Sequence, residues 1–383
     1  MTPRDRPIRA HARPIGRSQH SRRAPVREET DAYDVVRPRR RRSLKRTLTI
    51  LLVLSLAAIV VVGALFWSRL SAFNDAVSTA PSVSSALLLP LNGSDRVNVL
   101  MLGYGGIDHD GQYLADSINI LSINPKADAT TIIPIPRDLW IEGLPQLPDN
   151  GKVNEIFPVG FFQGGVAEGA RATAEVLTEV TGLRIDHWMA IDFDGFREMV
   201  DAVGGVTVEN PTAFSYTWYE EAFQAGTFEA GSFASGTLEL NGEEALDYAR
   251  TRYASVPEEA SDFARSVRQQ RIMVALKSKL GAGGISSIGP GLQVMDALAN
   301  RLETDLSAID LYLLSSHITA DRRVELSEDV ILEAAFSSVG QYVLVVVGRA
   351  SSSDYAPLHA YLAEALAEPM EPASSPGASA VGS

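Results

Sequence analysis

Alternating strand-like and helix-like segments predict an α/β fold. The expected form is an α+β sandwich with a central mixed β-sheet flanked by helices, preceded by a single transmembrane helix. Two observations carry this. After residue 96, apolar runs of strand character, "VNVLMLGYG" and "DSINILSINP", give way to "QGGVAEGARATAEVLTEVTGL", where Val166, Ala170, Val176, Leu177 and Val180 recur at helical spacing. Before it, "TLTILLVLSLAAIVVVGALFW" (47–67) is an uncharged run of 21 residues. At 1.5 Å rise per residue such a helix crosses about 30 Å of hydrocarbon.

Taken in order, residues 1–46 read as a disordered, basic cytoplasmic tail with 15 Lys and Arg against 5 Asp and Glu. "RPRRRRSLKR" stands just before the apolar run, so the positive-inside rule keeps this end in the cytoplasm and exports the bulk of the chain. A cleaved signal peptide is the alternative, but the apolar stretch is too long and no small-x-small site closes it. Residues 68–96 are a Ser/Ala-rich linker. The extracytoplasmic domain spans 97–368. In it "TTIIPIPRDLWI" reads as a third strand, "DHWMAID" as a fourth, "FDGFREMVDAV" as a helix and "VTVEN" as a strand after a Gly-Gly turn. In "LNGEEALDYA", Asn241 and Glu244 form a capping box that starts a helix. A long helix is expected from Asp262 to Leu280, then a Gly/Ser/Pro-rich break, more helix and a buried strand in "YVLVVV". Residues 369–383 are low-complexity and read as a disordered tail.

Charge and composition exclude several functions. Beyond residue 46 the chain holds 19 basic against 42 acidic residues, a balance of −23 that repels nucleic acid. There is no cysteine, hence no disulfide or thiolate metal site. The six histidines form no H-E-x-x-H pattern, and no G-x-S-x-G is present. "GYGG" lacks the spacing of a dinucleotide fingerprint.

The chemistry gathers around arginine. "EEALDYARTRYASVPEEASDFARSVRQQRIM" places Arg250, Arg252, Arg265, Arg268 and Arg271 in an otherwise acidic domain. The guanidinium fork matches phosphate oxygens two at a time. In an extended stretch Arg250 and Arg252 point to one side. On the following helix Asp262, Arg265 and Gln269 share a stripe that continues into Ile272, Met273, Leu276 and Leu280. A polar segment leading into an apolar one along a single face suits a charged head joined to an apolar chain; a surface helix keeps the two on opposite faces. The plain alternative pairs the arginines with Glu243, Glu244, Glu258 and Glu259 on a solvated surface. Arg137 and Asp138 end an apolar strand in "IPIPRDLW", at the margin where α/β sheets place ligand groups, with Lys152 and Asn154 soon after in "GKVNEIF". Turn or cap chemistry is the alternative for each. Asp116 either caps a turn or, facing arginines and a pyrophosphate, serves as a Mg2+ ligand. "FPVGFFQGG" is read first as core packing and second as the lining of a groove.

In this order "ADSINILSINP", "IPIPRD", "KVNEIF", "DHWMAIDFDGFREMVDAVGGVTV", "LNGEEALDYARTRY" and "SDFARSVRQQ" resemble the LytR-CpsA-Psr family of cell-wall glycopolymer ligases, over roughly residues 97–281. The resemblance implies a phosphotransferase on the outer face of the membrane. It would move a glycopolymer from an undecaprenyl-pyrophosphate carrier to peptidoglycan, with Mg2+. Arg137, Lys152, Arg250, Arg252, Arg265 and Gln269 would grip the pyrophosphate, with Arg250, Arg252 and Asp116 closest to the chemistry. Asp116 would hold the metal, and Asp262 would orient the arginines or assist it. The polyprenyl chain would lie in an apolar tunnel. Many family members carry a further acidic residue where this chain has Gly105 and Gly106, leaving either Asp108, His109 or Asp110 to compensate or the metal to rely on Asp116, water and phosphate. Two other functions fit the same residues: a hydrolase of lipid pyrophosphate, and a non-catalytic envelope regulator that binds polyprenyl phosphate.

Overall fold

The computed structural model describes residues 41–79, 96–107, 111, 113–126, 129–144, 150–282, 288–299, 301–317 and 322–367. Of the expected tails at 1–46 and 369–383, residues 1–40 and 369–383 lie outside them, as do Asp108, His109 and Asp110, whereas 41–46 are helical rather than disordered. The N-terminal helix Arg41–Val77 does not end at Trp67. Its stretch from Ser55 is long and apolar enough to cross a membrane, and Leu56, Ile59, Val60, Leu65 and Trp67 are exposed. The first part of the expected linker continues the helix because Leu70, Phe73 and Val77 repeat at helical spacing. They pack against Val294, Leu298, Leu302 and Ala308. Asn74 Oδ1 accepts a hydrogen bond from the Ala308 amide at 3.1 Å, at the start of the helix Ala308–His317.

Strands β1 (Val97–Tyr104), β2 (Ala115–Asn124) and β3 (Ala129–Pro134) open the domain. The short pair β4 (Trp140–Ile141) and β5 (Gly151–Lys152) follows, then β6 (His187–Asp192). Strands β7 (Val206–Asn210), β8 (Phe214–Thr217), β9 (Gly231–Phe233), β10 (Gly236–Leu240) and β11 (Tyr253–Ala254) form two smaller sheets. β12 (Leu302–Thr304) and β13 (Arg322–Arg323) return to the centre, and β14 (Leu332–Phe336) pairs with β15 (Tyr342–Val346). The central sheet runs β12-β6-β1-β2-β3-β13. It is mixed: β6 is parallel to β1 and β13 to β3, while β2 is antiparallel to both its neighbours.

Both faces of this sheet are covered, which is why β1 to β3 read as apolar runs. On one face Leu100, Leu102, Ile118, Ile120 and Ile133 meet the helices Ile156–Gly164, Val166–Thr181 and Ala356–Ala367. On the other, Val97, Val99, Leu121, Ile123 and Ile132 meet Met273, Leu311 and Leu314. A further core joins Val206, Val208 and Phe214 to Tyr248, Ile272 and Leu276. The helix Asp262–Ala282 therefore lies between two cores. Its expected single stripe divides: Met273 faces the sheet, while Ile272 and Leu276 serve the other core.

Local signals behave as their chemistry requires. Asn241 and Glu244 make a reciprocal capping box at the start of the helix Gly242–Arg250. Gly182 takes φ 71° beyond the helix Val166–Thr181, a left-handed stop that favours glycine. In "FPVGFFQGG" only part is core: Phe157 is buried, whereas Phe162 is 76 % exposed. The strand in "YVLVVV" is buried from Val343 to Val346, with Tyr342 and Val347 exposed.

Candidate active site

Asp116 owes its position to a break in the ladder. Gly103 pairs with Ser117 and Tyr104 with Ala115, so Asp116 is the extra residue of a β-bulge. Bulges re-aim a side chain while leaving the sheet intact. Here the carboxylate meets the far end of β3: Arg137 Nη1 donates to Asp116 Oδ1 at 2.7 Å.

The next residue is the hub. Asp138 is buried, its side chain 4 % exposed, with Lys152 Nζ 2.5 Å from Oδ1, Arg137 Nε 3.6 Å from Oδ2 and Arg252 Nη2 3.9 Å from Oδ2. Neither Asp138 Oδ2 nor Arg137 Nε completes a hydrogen bond among the described residues. Asp262 bridges a second pair of cations in the same way, with its Oδ1 3.3 Å from Arg252 Nε and 3.3 Å from Arg265 Nη2. Burial pulls the Arg137 guanidinium down, but Asp116, Asp262 and Asp138 outweigh it, and its pKa rises above the ordinary arginine value.

Arg250 is held differently. Its guanidinium lies 4.3 Å above the Phe193 ring and 5.4 Å from that of Trp218, and it has no hydrogen-bond or ion-pair partner among the described residues. Burial pushes its pKa down, with Asp116 and Asp247 opposing. It remains charged. Stacking fixes the plane of the fork and leaves its N–H groups for a ligand. The expected extended Arg250–Arg252 pair is instead a helix terminus, since the capping box carries the helix to Arg250 and Thr251 ends it.

Arg268 and Gln269 set that terminus. The last carbonyls of a helix lack intrahelical donors. Arg268 donates from Nε to the Tyr248 carbonyl at 2.9 Å and from Nη2 to the Thr251 carbonyl, while Gln269 Nε2 donates to the Ala249 carbonyl at 3.3 Å. Arg268 is fully buried and paired to Glu259. Arg271 donates to the Tyr248 hydroxyl at 2.9 Å. These two arginines are structural, and the expected glutamate pairing holds only for Arg268 with Glu259. Gln269 also accepts from Ser117 Oγ at 3.0 Å, and Ser117 in turn accepts from Asn119 Nδ2 at 2.9 Å. Gln269 thus reaches the site but spends both ends of its amide tying helix to sheet.

The structure accordingly brings together Asp116, Arg137, Lys152, Arg250, Arg252, Asp262, Arg265 and Gln269, all residues that the sequence nominates. It adds Ser117, Asn119, Phe193 and Trp218, which sequence reasoning left unassigned, and gives Asp138, placed by the sequence beside Arg137 at the strand end, the central position. Five cations face three carboxylates, a surplus of two positive charges. Away from this polar end, β2 passes from Ser117 and Asn119 to Leu121 and Ile123, and the facing helix passes from Arg265 and Gln269 to Met273. At the position of the family's additional acid, Gly106 has φ +86°, and a side chain there would meet Asp192, 3.4 Å from its Cβ.

A mixed sheet between helical layers, with a part-buried cationic cluster at its margin, defines the class as an α/β domain. The chain belongs to the LytR_cpsA_psr family, whose model matches residues 69–350. The polyisoprenyl-teichoic acid–peptidoglycan teichoic acid transferase TagU of Oceanobacillus iheyensis is 31 % identical over 231 residues, which cover 60 % of this chain and 64 % of that protein. The Bacillus subtilis TagU is 26 % identical over 74 % of this chain and 86 % of its own length. Among solved structures, a Streptococcus agalactiae protein aligns with TM-score 0.55 at 23 % identity, covering 76 % of this chain and 93 % of that one. Bacillus subtilis TagV aligns with TM-score 0.51 at 22 % identity, covering 72 % and 98 %. These two likenesses establish the fold.

Proposed function

We propose that this protein is a membrane-anchored phosphotransferase of the cell envelope, its catalytic domain on the outer face. It would carry a glycopolymer from a polyprenyl-pyrophosphate donor to a hydroxyl of peptidoglycan. The observation that carries this is the convergence of Arg137, Lys152, Arg250, Arg252 and Arg265 from four stretches of chain, with two positive charges in excess. A pyrophosphate supplies the missing negative charge. The apolar sequel along β2 and the Asp262–Ala282 helix supports a polyprenyl chain on the same side. The activity named for the TagU relatives supports the same reading.

In the transfer, the acceptor hydroxyl oxygen bonds to the phosphorus that bears the glycan. The bond from that phosphorus to the bridging oxygen breaks, and polyprenyl monophosphate leaves with the electron pair. Phosphoryl transfer asks a protein chiefly for positioning and for charge stabilisation on non-bridging oxygens. The unpaired fork of Arg250 and the carboxylate-oriented forks of Arg137, Arg252 and Arg265 provide both. Asp116 takes the acceptor proton.

The donors fit Mg2+ in one form. Among the described residues no group of three or more His, Cys, Asp or Glu is arranged to hold a metal. Mg2+ takes one or two carboxylates together with substrate phosphates. Asp116 suits this, because its side chain is 29 % exposed and a carboxylate offers about four lone-pair sites, of which Arg137 uses one. Asp262 Oδ1 lies 3.3 Å from both Arg252 and Arg265 without completing a hydrogen bond among the described residues, so we assign it the orienting role. Mg2+ bound with Asp116 and phosphate oxygens would supply fixed positive charge to the reacting phosphate.

The test is reconstitution of the full-length protein in detergent with a synthetic polyprenyl-pyrophosphate sugar, Mg2+ and peptidoglycan fragments. Mass spectrometry should show a sugar phosphodiester on the acceptor. Release of free sugar phosphate alone would assign hydrolysis instead.

A further inference from the structure

A cavity of about 450 Å³ opens at the same strand-end margin, on the face covered by the helices Ile156–Gly164 and Val166–Thr181. It falls within the roughly 300–1,000 Å³ of small-molecule sites. It neighbours the cationic cluster through the backbone: Tyr104 pairs with Ala115, the residue before Asp116, and with Asp192, the residue before Phe193, on whose ring Arg250 rests.

One wall is aromatic. Tyr113 and Phe161 stack with centroids 4.0 Å apart and planes 22° apart, and the exposed Phe162 meets Tyr113 edge-on at 5.5 Å. The opposite wall is polar. Arg301 lies 3.2 Å from Asp192, 3.3 Å from Asp194 and 3.6 Å from Glu198, so a resident cation already answers the carboxylates on that side. Glu303 is half-buried and has no hydrogen-bond or ion-pair partner among the described residues; the Tyr104 hydroxyl also has no hydrogen-bond partner there. Burial pushes the Glu303 carboxyl above the ordinary glutamate value. Polar groups that line a cavity offer hydrogen bonds to an occupant, and aromatic side chains in its wall offer contact to C–H surface. A sugar ring offers both at once; a lipid chain offers only the second.

We infer that this cavity is a pyranose subsite that seats the acceptor sugar beside the phosphate clamp, with its ring against Tyr113 and Phe161 and its hydroxyls on Glu303 and Tyr104. The acceptor role rests on the transfer function proposed above, whereas sugar binding does not. Two probes separate the two readings in titration calorimetry on the full-length protein in detergent: chitotetraose for the cavity and farnesyl pyrophosphate for the clamp. Chitotetraose should bind the wild type, and Glu303→Gln and Tyr113→Leu should each weaken it about tenfold or more while farnesyl pyrophosphate binding stays unchanged. Equal chitotetraose binding by wild type and both variants overturns the subsite, as does a cavity that takes tetramethylammonium but no chitotetraose. Loss of pyrophosphate binding with chitotetraose retained would leave the subsite standing and remove the transfer reading.

Discussion

Lys152 reaches back to Asp138, its Nζ 2.5 Å from a carboxylate oxygen that is almost wholly buried. That carboxylate also faces Arg137 and Arg252, so one acid sets the spacing of three cations. Replacing it with Asn keeps the shape and removes the charge that holds them together. Asp138→Asn should cost about 1–3 kcal/mol of stability, since Lys152 keeps only a neutral acceptor and an amide group carries no charge to hold Arg137 and Arg252. Chemical denaturation checks this, and an unchanged midpoint would mean the three cations do not depend on Asp138.

Arg252→Ala and Arg137→Ala should each lower transfer by roughly 10²–10³, the usual cost of removing one donor from a transition-state contact. Circular dichroism should show the fold retained. Near-full activity in either variant would break the clamp assignment.

The opposite behaviour is expected of Arg268, although it lies in the same arginine-rich segment. Arg268→Ala leaves Glu259 buried and unpaired and three backbone carbonyls, of Tyr248, Thr251 and Glu259, without their donor. The loss should be about 3–5 kcal/mol and appear as a lowered melting temperature before any specific catalytic defect. A stable, selectively inactive variant would instead place Arg268 in the chemistry.

Chelation with EDTA should stop transfer, and added Mg2+ should restore it. Turnover that persists in EDTA removes the metal and leaves the arginines to stabilise the charge alone.

Met273 faces the sheet at the apolar end of the seam, so Met273→Glu should weaken long polyprenyl donors more than short ones in a competition assay. Ile272 and Leu276 are unsuitable for this test because both are core residues on the other side of the helix. Equal loss for both donor lengths would deny the chain a place along this seam.

Glu303 provides a pH test. Burial raises its folded-state pKa above the ordinary 4.5, so the folded protein holds this proton more tightly than the unfolded chain. Ionisation at higher pH therefore costs stability, and the cost disappears as pH falls through the folded pKa to 4.5. Glu303→Gln should melt higher than wild type at about pH 8, with the gap closing in acid. A gap that is constant across pH would show that the carboxyl is not desolvated.

Much of the fold was legible because its signals are local. The Asn241–Glu244 box, the Gly182 stop and the strand runs each act within a few residues. The candidate site was legible by residue type: arginine in an acidic domain is conspicuous. What escaped was long-range. Nothing near Arg268 announces that it will cap the helix ending at Arg250, because the partner carbonyls lie about twenty residues away. Arg265 and Arg268 are three apart on one helix, yet Arg265 lies beside Asp262 and Arg268 is spent on Glu259 and backbone. The division of the Ile272, Met273 and Leu276 stripe was hidden for a related reason: periodicity marks which residues are buried but not how many cores bury them. The helix beyond Trp67 was missed because a Ser/Ala-rich composition resembles a spacer, although Leu70, Phe73 and Val77 keep helical time.

The bulge frees Asp116 from the pairing of the sheet. Excising that single position would let Ala115 and Ser117 close up into regular pairing with β1, so the barrier to losing the acid while keeping the sheet is low. On the function proposed above, a chain of this architecture would lose the acid through one codon while keeping the pairing of its sheet. On that same function, an acid at the kink would mark an active chain better than the outline of its sheet does.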